Sequence, residues 1–351
     1  MKIRSVYRLP RGRNNARNSE GTFLYTASGA LLFAYSRFSA GNGGDGEPSD
    51  IGLLASYDDG ETWEDRGVAV PASFFGVDNI MSCSFLRQKD GKTGLYFLIK
   101  ENDGTSSYGR ALTGDGRVFT PERVKFIDLP KGYYIVNNDR LIRDGEGRIL
   151  CPVAHCIGGM HCASTCLYSE DDGATFRTYH AWADISLPHS STGLQEPGAF
   201  LLPDGTVWMY ARTDAGFQYE SFSYDGLRSF TAPVPSVFTS PASPMLIKKG
   251  ESGAVYALYN PIPNYNGRRT GGITGRTPIV IRKSTDGGLT FGPCRVIGGD
   301  ENRAYCYPAC LETKDGGLVV SFCQGRHDTD SGMDAYGLYE TGIYKLNPDE
   351  L

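Results

Sequence analysis

The stretch Ser56-Tyr57-Asp58-Asp59-Gly60-Glu61-Thr62-Trp63 recurs along this chain in related forms. Two further clean copies occupy residues 169–176 and 284–291, a looser copy occupies 223–230, and a shortened one occupies 113–119. Successive copies start 54 to 61 residues apart. A nearly constant period in this range indicates a repeat architecture, so the chain is expected to consist of similar units placed one after another.

The chemistry of this repeated box predicts a structural role. An Asp at the third position can accept hydrogen bonds from backbone N–H groups of its own turn, and the Gly supplies a positive φ. The aromatic residue at the end of the box is expected to enter the core. We therefore interpret each copy as a staple that closes a β-hairpin.

A second periodic signal indicates the strands between the boxes. Glycine turns followed by apolar runs, such as residues 28–32 and 204–209, recur six times along the chain. Short strands separated by such turns are typical of all-β proteins. A unit of about 58 residues holds about four strands, which is one propeller blade. The sequence predicts one domain over residues 1–351, an all-β six-bladed β-propeller with four-stranded antiparallel blades, in which residues 3–9 complete the last blade.

Composition and charge disfavour several classes of partner. The net charge is −5 and the basic residues are scattered, so no nucleic acid partner is expected. No run approaches the ~20 apolar residues of a membrane helix, so no membrane partner is expected. The first residues contain no apolar signal-peptide core, which predicts a cytoplasmic protein. The oligomeric state is left open.

The nine cysteines are predicted to be free thiols. A metal site is suggested by six Cys and His residues between Cys151 and Cys166. However, Cys162 and Cys166 alternate as one face of a strand, and the stretch contains no CxxC pair. Packed cysteines are therefore favoured, and neither a metal nor a cofactor is predicted.

The box, repeated around a propeller, resembles the sialidase (neuraminidase) superfamily with its BNR or Asp-box repeats. The resemblance covers essentially the whole chain. It implies an exo-acting glycoside hydrolase whose substrate is a sialoside or another glycan. The boxes also occur in propellers without hydrolytic activity, so the candidate site residues must be considered one by one.

The resemblance implies a catalytic set. Sialidases carry a Glu followed about sixteen residues later by an Arg, and Glu196 precedes Arg212 by sixteen. Arg276 matches a family Arg shortly before the fifth box. Tyr307 stands eight residues before Asp315, as the family's nucleophilic Tyr does, and Tyr305 is its rival.

The general-acid Asp of the family lies in a long loop before the first box. Asp45 is the best match in this chain, and Asp50 is the rival.

One family motif is missing. Sialidases begin their first blade with Arg-Ile-Pro, but Ser19 or Glu20 stands at that position here. Arg17 or Arg37 is expected to replace the missing cation. Glu20 is expected to line the pocket, where it pairs with an arginine or binds sugar hydroxyls.

A further polar cluster includes Asn138 and Arg140. It is expected to face the propeller axis, either as a substrate contact or as a buried hydrogen-bond network.

The chemistry of a sialoside explains these residue types. Arginines bind its carboxylate bidentately, and the same carboxylate disfavours an anionic nucleophile. A neutral Tyr307 is therefore expected to attack, with Glu196 accepting its proton through a hydrogen bond. Asp45 is expected to protonate the leaving oxygen, with its pKa raised in a closed site. This scheme predicts retention, and a water-based inverting route using Asp45 or Asp50 is the alternative.

Three hypotheses follow from the sequence. The first is a hydrolase with sialidase-like chemistry. The second is a propeller hydrolase of a different glycoside, suggested by the missing Arg-Ile-Pro. The third is a glycan-binding propeller without catalytic activity. Convergence of the candidate residues on one axial pocket would favour the two enzymes.

Overall fold

A computed structural model describes residues 2–188, 190–263, 276–326 and 338–351 of the chain. Regular structure in these ranges is β-strand, apart from two single-turn 3-10 helices at Ala72–Phe75 and Pro348–Glu350. The described residues contain no helix long and apolar enough to cross a membrane. The prediction of an all-β chain is confirmed.

The strands are short and follow one another at close intervals. In chain order, those of the described residues are β1 Ile3–Leu9, β2 Arg17–Tyr25, β3 Leu31–Phe38, β4 Ser49–Ser56, β5 Glu64–Val70, β6 Asn79–Arg87, β7 Thr93–Lys100, β8 Ser106–Thr113, β9 Thr120–Phe126, β10 Tyr133–Ile135, β11 Ile142–Arg143, β12 Ile149–Gly158, β13 His161–Ser169, β14 Thr175–Phe176, β15 Gln195–Leu201, β16 Val207–Arg212, β17 Phe217–Ser223, β18 Val234–Thr239, β19 Leu246–Lys249, β20 Val255–Tyr259, β21 Ile279–Ser284, β22 Arg295–Gly298, β23 Arg303–Glu312, β24 Leu318–Arg326 and β25 Glu340–Leu346.

The strands form five hydrogen-bonded sheets. Four of these are separate four-stranded sheets: β15 to β18, β19 to β22, β10 to β13, and a fourth in which β1 pairs with β25 beside β24 and β23. The first strand of the chain thus completes the sheet that holds its last strands, with Ile3 opposite Leu346. The prediction for residues 3–9 is confirmed.

The predicted count of six separate four-stranded blades is wrong. Strands β2 to β9, together with β14, form one nine-stranded sheet, so four blades rather than six stand as separate sheets. This sheet contains two antiparallel meanders, β2 to β5 and β6 to β9. A parallel bridge between Ser49 and Asn79 joins them. Such a bridge connects backbone groups far apart in sequence, so the repeat period could not reveal it.

The repeated boxes close hairpins as predicted. In the first copy Asp58 accepts hydrogen bonds from the backbone N–H of Thr62 at 2.9 Å and from its hydroxyl at 2.5 Å. The Ser56 hydroxyl donates to Asp58 and accepts from Gly60 N–H, whose φ is 86°. Trp63 at the end of the box is 8% exposed. The box therefore satisfies its own turn and anchors it with an aromatic side chain.

Buried apolar clusters join strands of consecutive groups. Leu53 of β4 and Phe97 of β7 share one cluster. Phe33 of β3 and Ile343 of β25 share another, which connects the start of the chain to its end. Each such side chain contributes about 1.5–3 kcal/mol when it is fully buried. Packing between the first and last strand groups closes the propeller arrangement.

The innermost strands carry bulges that position the candidate site. The pairing register shifts where β2 meets β3, β6 meets β7, β15 meets β16 and β23 meets β24. The residue at each bulge, and the corresponding residue between β10 and β11, has a positive φ of 45–56°; these residues are Glu20, Ser82, Asp139, Glu196 and Tyr307. Non-glycine residues at such φ values are uncommon and cluster at functional sites.

Candidate functional site

Tyr307 lies between two arginines. The guanidinium carbon of Arg17 is 5.9 Å from the centre of the Tyr307 ring, and that of Arg276 is 5.8 Å away. Arg276 donates one hydrogen bond to the sulfur of Cys306 at 2.9 Å and another to the Ala242 carbonyl at 2.8 Å. Tyr307, Arg17 and Arg276 are each at least nine-tenths buried. Residues of the first and last strand groups therefore meet at one place.

Arg17, one of the two candidates for the missing cation, lies in this cluster. Its guanidinium donates to Asp45 at 2.5 Å and to the Gly43 carbonyl at 3.1 Å. Gly43 has a φ of 74°, and a Cβ built on it would stand 2.8 Å from the Cβ of Arg17. A glycine at this position allows the loop before β4 to approach Arg17 closely. Of the two expected replacements for the missing arginine, the structure places Arg17 at the site.

Glu20 pairs with Arg17, as expected. Their charged groups are 3.5 Å apart, and Glu20 accepts a hydrogen bond from the Ser36 hydroxyl at 3.0 Å. Burial raises the pKa of Glu20 to about 7, although Arg17 opposes the shift. The carboxyl side chain is only 3% exposed. It is therefore a buried group that gains or loses a proton near neutral pH.

Glu196 and Arg212 form the second acidic–basic pair. Arg212 donates to Glu196 at 2.7 Å, and the two side chains are 16% and 11% exposed. Burial alone would lower the pKa of Arg212, but Glu196 and Tyr307 raise it, so the guanidinium stays ionised. Sixteen residues separate the two partners in sequence, and the hairpin of β15 and β16 brings them into contact.

Tyr307 is a neutral phenol in this environment. Burial raises the pKa of its hydroxyl well above the ordinary value, and Glu196, Cys306 and Asp45 raise it further. In the described residues the predicted hydrogen bond between Tyr307 and Glu196 is not formed, and Glu196 accepts a hydrogen bond from Arg212. The prediction of a preformed Tyr307–Glu196 pair is therefore wrong.

Asp45 also differs from the expectation. Burial would raise the pKa of its carboxyl, but Arg17, Lys100 and Arg276 together hold that pKa below its usual range. The ammonium of Lys100 also contacts the backbone carbonyl of Asp45. An Asp paired in this way is ionised at neutral pH, so the predicted raised pKa is wrong.

The cluster is suited to a small anion. Its described residues include four basic side chains, Arg17, Lys100, Arg212 and Arg276, against three acidic ones, Glu20, Asp45 and Glu196. The Nε atoms of the three arginines are buried and have no hydrogen-bond partner among the described residues. Buried donors of this kind are normally satisfied, so the three unpaired nitrogens are unusual, and the excess of basic over acidic side chains is what suits the cluster to an anion. A monoanionic ligand would balance the excess charge.

Arg37 and Asp50 are not brought to this cluster. Arg37 shares a face of β3 with Tyr35, whereas Ser36, one residue earlier, faces Glu20. Neighbouring residues of a strand point to opposite faces, which places Arg37 on the other side. The carboxylate of Asp50 accepts a hydrogen bond from the backbone N–H of Ala72 at 2.8 Å. The prediction that Arg37 and Asp50 contact substrate is therefore corrected.

Asn138 and Arg140 belong to a buried network, the second of the two predicted possibilities. The Asn138 amide donates to the carbonyls of Gly21 at 2.8 Å and Pro308 at 3.3 Å. Arg140 donates to the Met245 carbonyl at 2.5 Å. Both side chains satisfy backbone carbonyls around the axis, so direct contact with substrate is not supported. Asn138 instead ties together the residues that follow Glu20 and Tyr307.

Tyr305 is separate from the arginines. Its ring packs at 5.5 Å from that of Phe322, and its hydroxyl accepts a hydrogen bond from Asp300 N–H at 3.1 Å. Of the two candidate tyrosines, the structure places Tyr307 in the cluster.

Some members of the site were missed in the sequence. Lys100 and Tyr133, whose ring centre is 5.8 Å from the Lys100 nitrogen, carry no recognisable motif. The bulge positions do follow a spacing rule that could have been found. Glu20, Ser82, Glu196 and Tyr307 each stand nine residues before a turn glycine with positive φ, namely Gly29, Gly91, Gly205 and Gly316. Pro244 holds this position before Gly253, and a proline ring cannot adopt a positive φ.

In the part of the chain that the structure describes, no three His, Cys, Asp or Glu side chains are placed to share a metal ion. The stretch from Cys151 to Cys166 contributes packed or paired thiols to β12 and β13.

Comparison with known proteins identifies the family and the fold. The profile of the BNR repeat-like domain matches residues 83–320. A search of curated proteins gave no significant match.

Solved structures match over nearly the whole chain. A Dyadobacter fermentans protein of unknown function is 17% identical, with a TM-score of 0.71 and coverage of 98% of this chain and 99% of its own. The Hadza microbial sialidase Hz136 is 15% identical, with a TM-score of 0.73 and coverage of 96% and 67%. The intramolecular trans-sialidase of Ruminococcus gnavus, solved with oseltamivir carboxylate, is 12% identical, with a TM-score of 0.70 and coverage of 99% and 97%. These similarities establish the sialidase-like propeller fold.

Proposed function

The chain belongs to the BNR repeat-like domain family, and from that premise we propose that it is an exo-acting glycoside hydrolase with sialidase-like chemistry. The proposed substrate is a glycoconjugate ending in sialic acid or a related acidic sugar, and residues 1–351 act as one domain. The observation that carries the proposal is the position of Tyr307 between the guanidinium groups of Arg17 and Arg276. Glu196 lies close enough to raise the pKa of the Tyr307 hydroxyl electrostatically.

The three arginines bind the substrate carboxylate. Planar guanidinium groups bind a carboxylate through paired charge-assisted hydrogen bonds, which a neutral sugar cannot offer. Arg276 is already oriented by the Cys306 sulfur and the Ala242 carbonyl. Arg17 and Arg212 are oriented by Asp45 and Glu196. The three arginines are thus oriented in advance, and the carboxylates paired with Arg17 and Arg212 are groups that an anionic ligand can replace.

Binding of the carboxylate changes the protonation of the catalytic groups. A carboxylate on Arg212 competes with Glu196, which then becomes available to accept the phenolic proton of Tyr307. A carboxylate on Arg17 competes with Asp45 in the same way. Asp45 loses the pairing that lowers its pKa, and it can then hold the proton that the leaving oxygen needs. Asp45 and Glu196 are each paired with an arginine, and the acidic substrate releases both carboxylates from those pairs.

The covalent step follows from the neutral state of Tyr307. Glu196 takes the phenolic proton while the tyrosyl oxygen attacks the anomeric carbon, and Asp45 protonates the departing oxygen. Water activated by Asp45 then releases the sugar with retention of configuration. A neutral nucleophile avoids repulsion by the carboxylate on the same carbon.

A second candidate is a hydrolase of a glycoside without a carboxylate. It is favoured by one observation, which is that Arg17 and Arg212 each have a carboxylate partner in the described residues already. Glu20 adds a further acid at the position where the resemblance implies a cation. In this alternative the paired carboxylates bind sugar hydroxyls.

Aryl glycosides with and without a carboxylate test both candidates. We expect release of the aryl group from sialosides, and Tyr307→Phe should reduce turnover by roughly 10³-fold or more because the nucleophilic oxygen is gone. Tyr305→Phe is the matched control. Tyr305 stands two positions before Tyr307 in the sequence, and its hydroxyl accepts a hydrogen bond from Asp300 N–H.

Three outcomes separate the hypotheses. Preferential cleavage of a neutral glycoside supports the second candidate. Binding of sugars without turnover by any substrate supports a glycan-binding propeller. Near-normal turnover by Tyr307→Phe contradicts the tyrosine mechanism.

A further inference from the structure

Two thiols face each other at the end of the hairpin formed by β12 and β13. Cys156 and Cys162 are direct partners in the antiparallel register, and their sulfur atoms are 2.8 Å apart. Opposite residues of antiparallel strands have Cα atoms about 4.5–5.5 Å apart, which lies within the range of about 4.4–6.8 Å found for disulfides. Both cysteines are free thiols in this structure. The backbone can therefore accommodate a bond between them without a change of register.

This pair lies beside the candidate site. The backbone carbonyl of Cys162 accepts a hydrogen bond from Leu194 N–H at 2.7 Å, and Cys162 N–H donates to the Thr192 carbonyl at 3.0 Å. That segment leads directly into β15, which carries Glu196. The Gln195 side chain also donates to the Met160 carbonyl at the hairpin tip, at 2.7 Å. The hairpin that holds the thiols is thus connected to the strand that holds a catalytic candidate.

The two thiols differ in reactivity. The hydrogen bond from Cys162 lowers the pKa of Cys156, and the same contact raises the pKa of Cys162. Cys156 is partly exposed, whereas Cys162 is buried. A thiol with a lowered pKa and access to solvent is the one that attacks disulfides. Cys156 therefore has the properties of an attacking thiol, and Cys162 those of a resolving thiol.

We propose that Cys156 and Cys162 form a reversible disulfide when the protein meets a low-molecular-weight disulfide such as oxidised glutathione. The Cys156 thiolate attacks oxidised glutathione, forming a mixed disulfide and releasing one glutathione thiolate. Cys162 then loses its proton to solvent and attacks the Cys156 sulfur, releasing the second glutathione. Two protein thiols are oxidised, and one glutathione disulfide is reduced to two thiols.

The other cysteines lack this combination. Cys306 and Cys323 are also cross-strand partners, but both are fully buried. Their sulfurs have separate partners, because Cys306 accepts from Arg276 and Cys323 donates to the Asn18 carbonyl. Cys294 is exposed and, having no cysteine opposite it in the described strands, can form only a mixed disulfide. Selective linkage of one pair is therefore expected.

A single methionine makes the test direct. Met160 lies between the two cysteines, so cleavage by cyanogen bromide after Met160 separates them into fragments 82–160 and 161–209. The native full chain is treated with oxidised and reduced glutathione at graded ratios, its remaining thiols are alkylated, and it is then cleaved. We expect the two fragments to stay joined without reductant and to separate with it, with a loss of two of the nine thiols besides any mixed disulfide at Cys294.

Substitutions identify the linked pair. Cys156→Ser should abolish the joined fragment, whereas Cys166→Ser, which removes the other thiol of fragment 161–209 and keeps Cys162, should leave it unchanged. Cys156 is partly exposed, so the serine variant is expected to fold, and circular dichroism checks this. If Cys156→Ser fails to fold, peptide mapping by mass spectrometry of the oxidised wild-type chain identifies the partners. Separate fragments at every ratio, or a joined fragment that persists in Cys156→Ser, would overturn the proposal.

Discussion

Substitution of Glu20 by glutamine should remove a pH dependence from the stability of the protein. Burial raises the pKa of Glu20 from 4.5 to about 7 in the folded chain, and Arg17 only partly opposes this. Between these two values the folded protein holds a proton that the unfolded chain has released. The free energy of unfolding therefore falls as pH rises through this window. The contribution is fully present below pH 4.5 and is lost above about pH 7.

The size of the effect follows from the two pKa values. A pKa difference of one is worth about 1.4 kcal/mol, so a rise from 4.5 to about 7 corresponds to about 3 kcal/mol. The side chain is 3% exposed, so solvent does little to screen the charge. Glutamine cannot ionise, and its amide oxygen can still accept the hydrogen bond from Ser36. The stability of Glu20→Gln relative to the wild type should therefore increase by about 3 kcal/mol between pH 4.5 and pH 7.5.

Urea denaturation at a series of pH values measures this difference. The wild type and Glu20→Gln are compared with Glu64→Gln, a control at a side chain that is 61% exposed. We expect the control to follow the wild type at every pH, while the curve of Glu20→Gln diverges from it as pH rises. Parallel curves for the wild type and Glu20→Gln would refute the buried, proton-holding state of Glu20.

Two further predictions concern the arginines and the acid. Arg212→Lys should weaken binding of a carboxylate-bearing sugar analogue by more than ~1 kcal/mol, because an ammonium cannot reproduce the guanidinium fork. Arg37→Lys is the matched control, and an equal inhibition constant for wild type and Arg212→Lys would contradict the role of Arg212. Asp45→Asn should slow glycosides with poor leaving groups far more than activated aryl glycosides, which need little protonation. Equal losses of kcat for both substrate types would argue against Asp45 as the acid.

Much of the fold was predictable because its signals are local. The box carries its own hydrogen-bond partners within eight residues, as Asp58 and Thr62 show. Its recurrence predicts the propeller and leads to the pairing of β1 with β25. The fusion of two meanders into one sheet depends on Ser49 and Asn79, which no local pattern connects. The number of separate sheets was for that reason predicted incorrectly.

The candidate site was predictable only in part. Glu196, Arg212, Arg276 and Tyr307 were found because they match the pattern of the family that the boxes resemble, and the structure brings all four together. Arg37 was a wrong choice, since strand alternation turns it away from Glu20. Lys100 and Tyr133 could not be found, because they reach the site from a neighbouring strand group without any motif.

The sequence by itself determined the repeat, the all-β class, the turn chemistry and the residue types of the site, since these depend on residues near one another in the chain. Only the tertiary structure decided which charges pair. Arg17 meets Asp45 and Glu20 across bulges and loops, and those contacts set the protonation of both acids. A pKa depends on burial and on charges within a few ångströms, and both are properties of the folded chain.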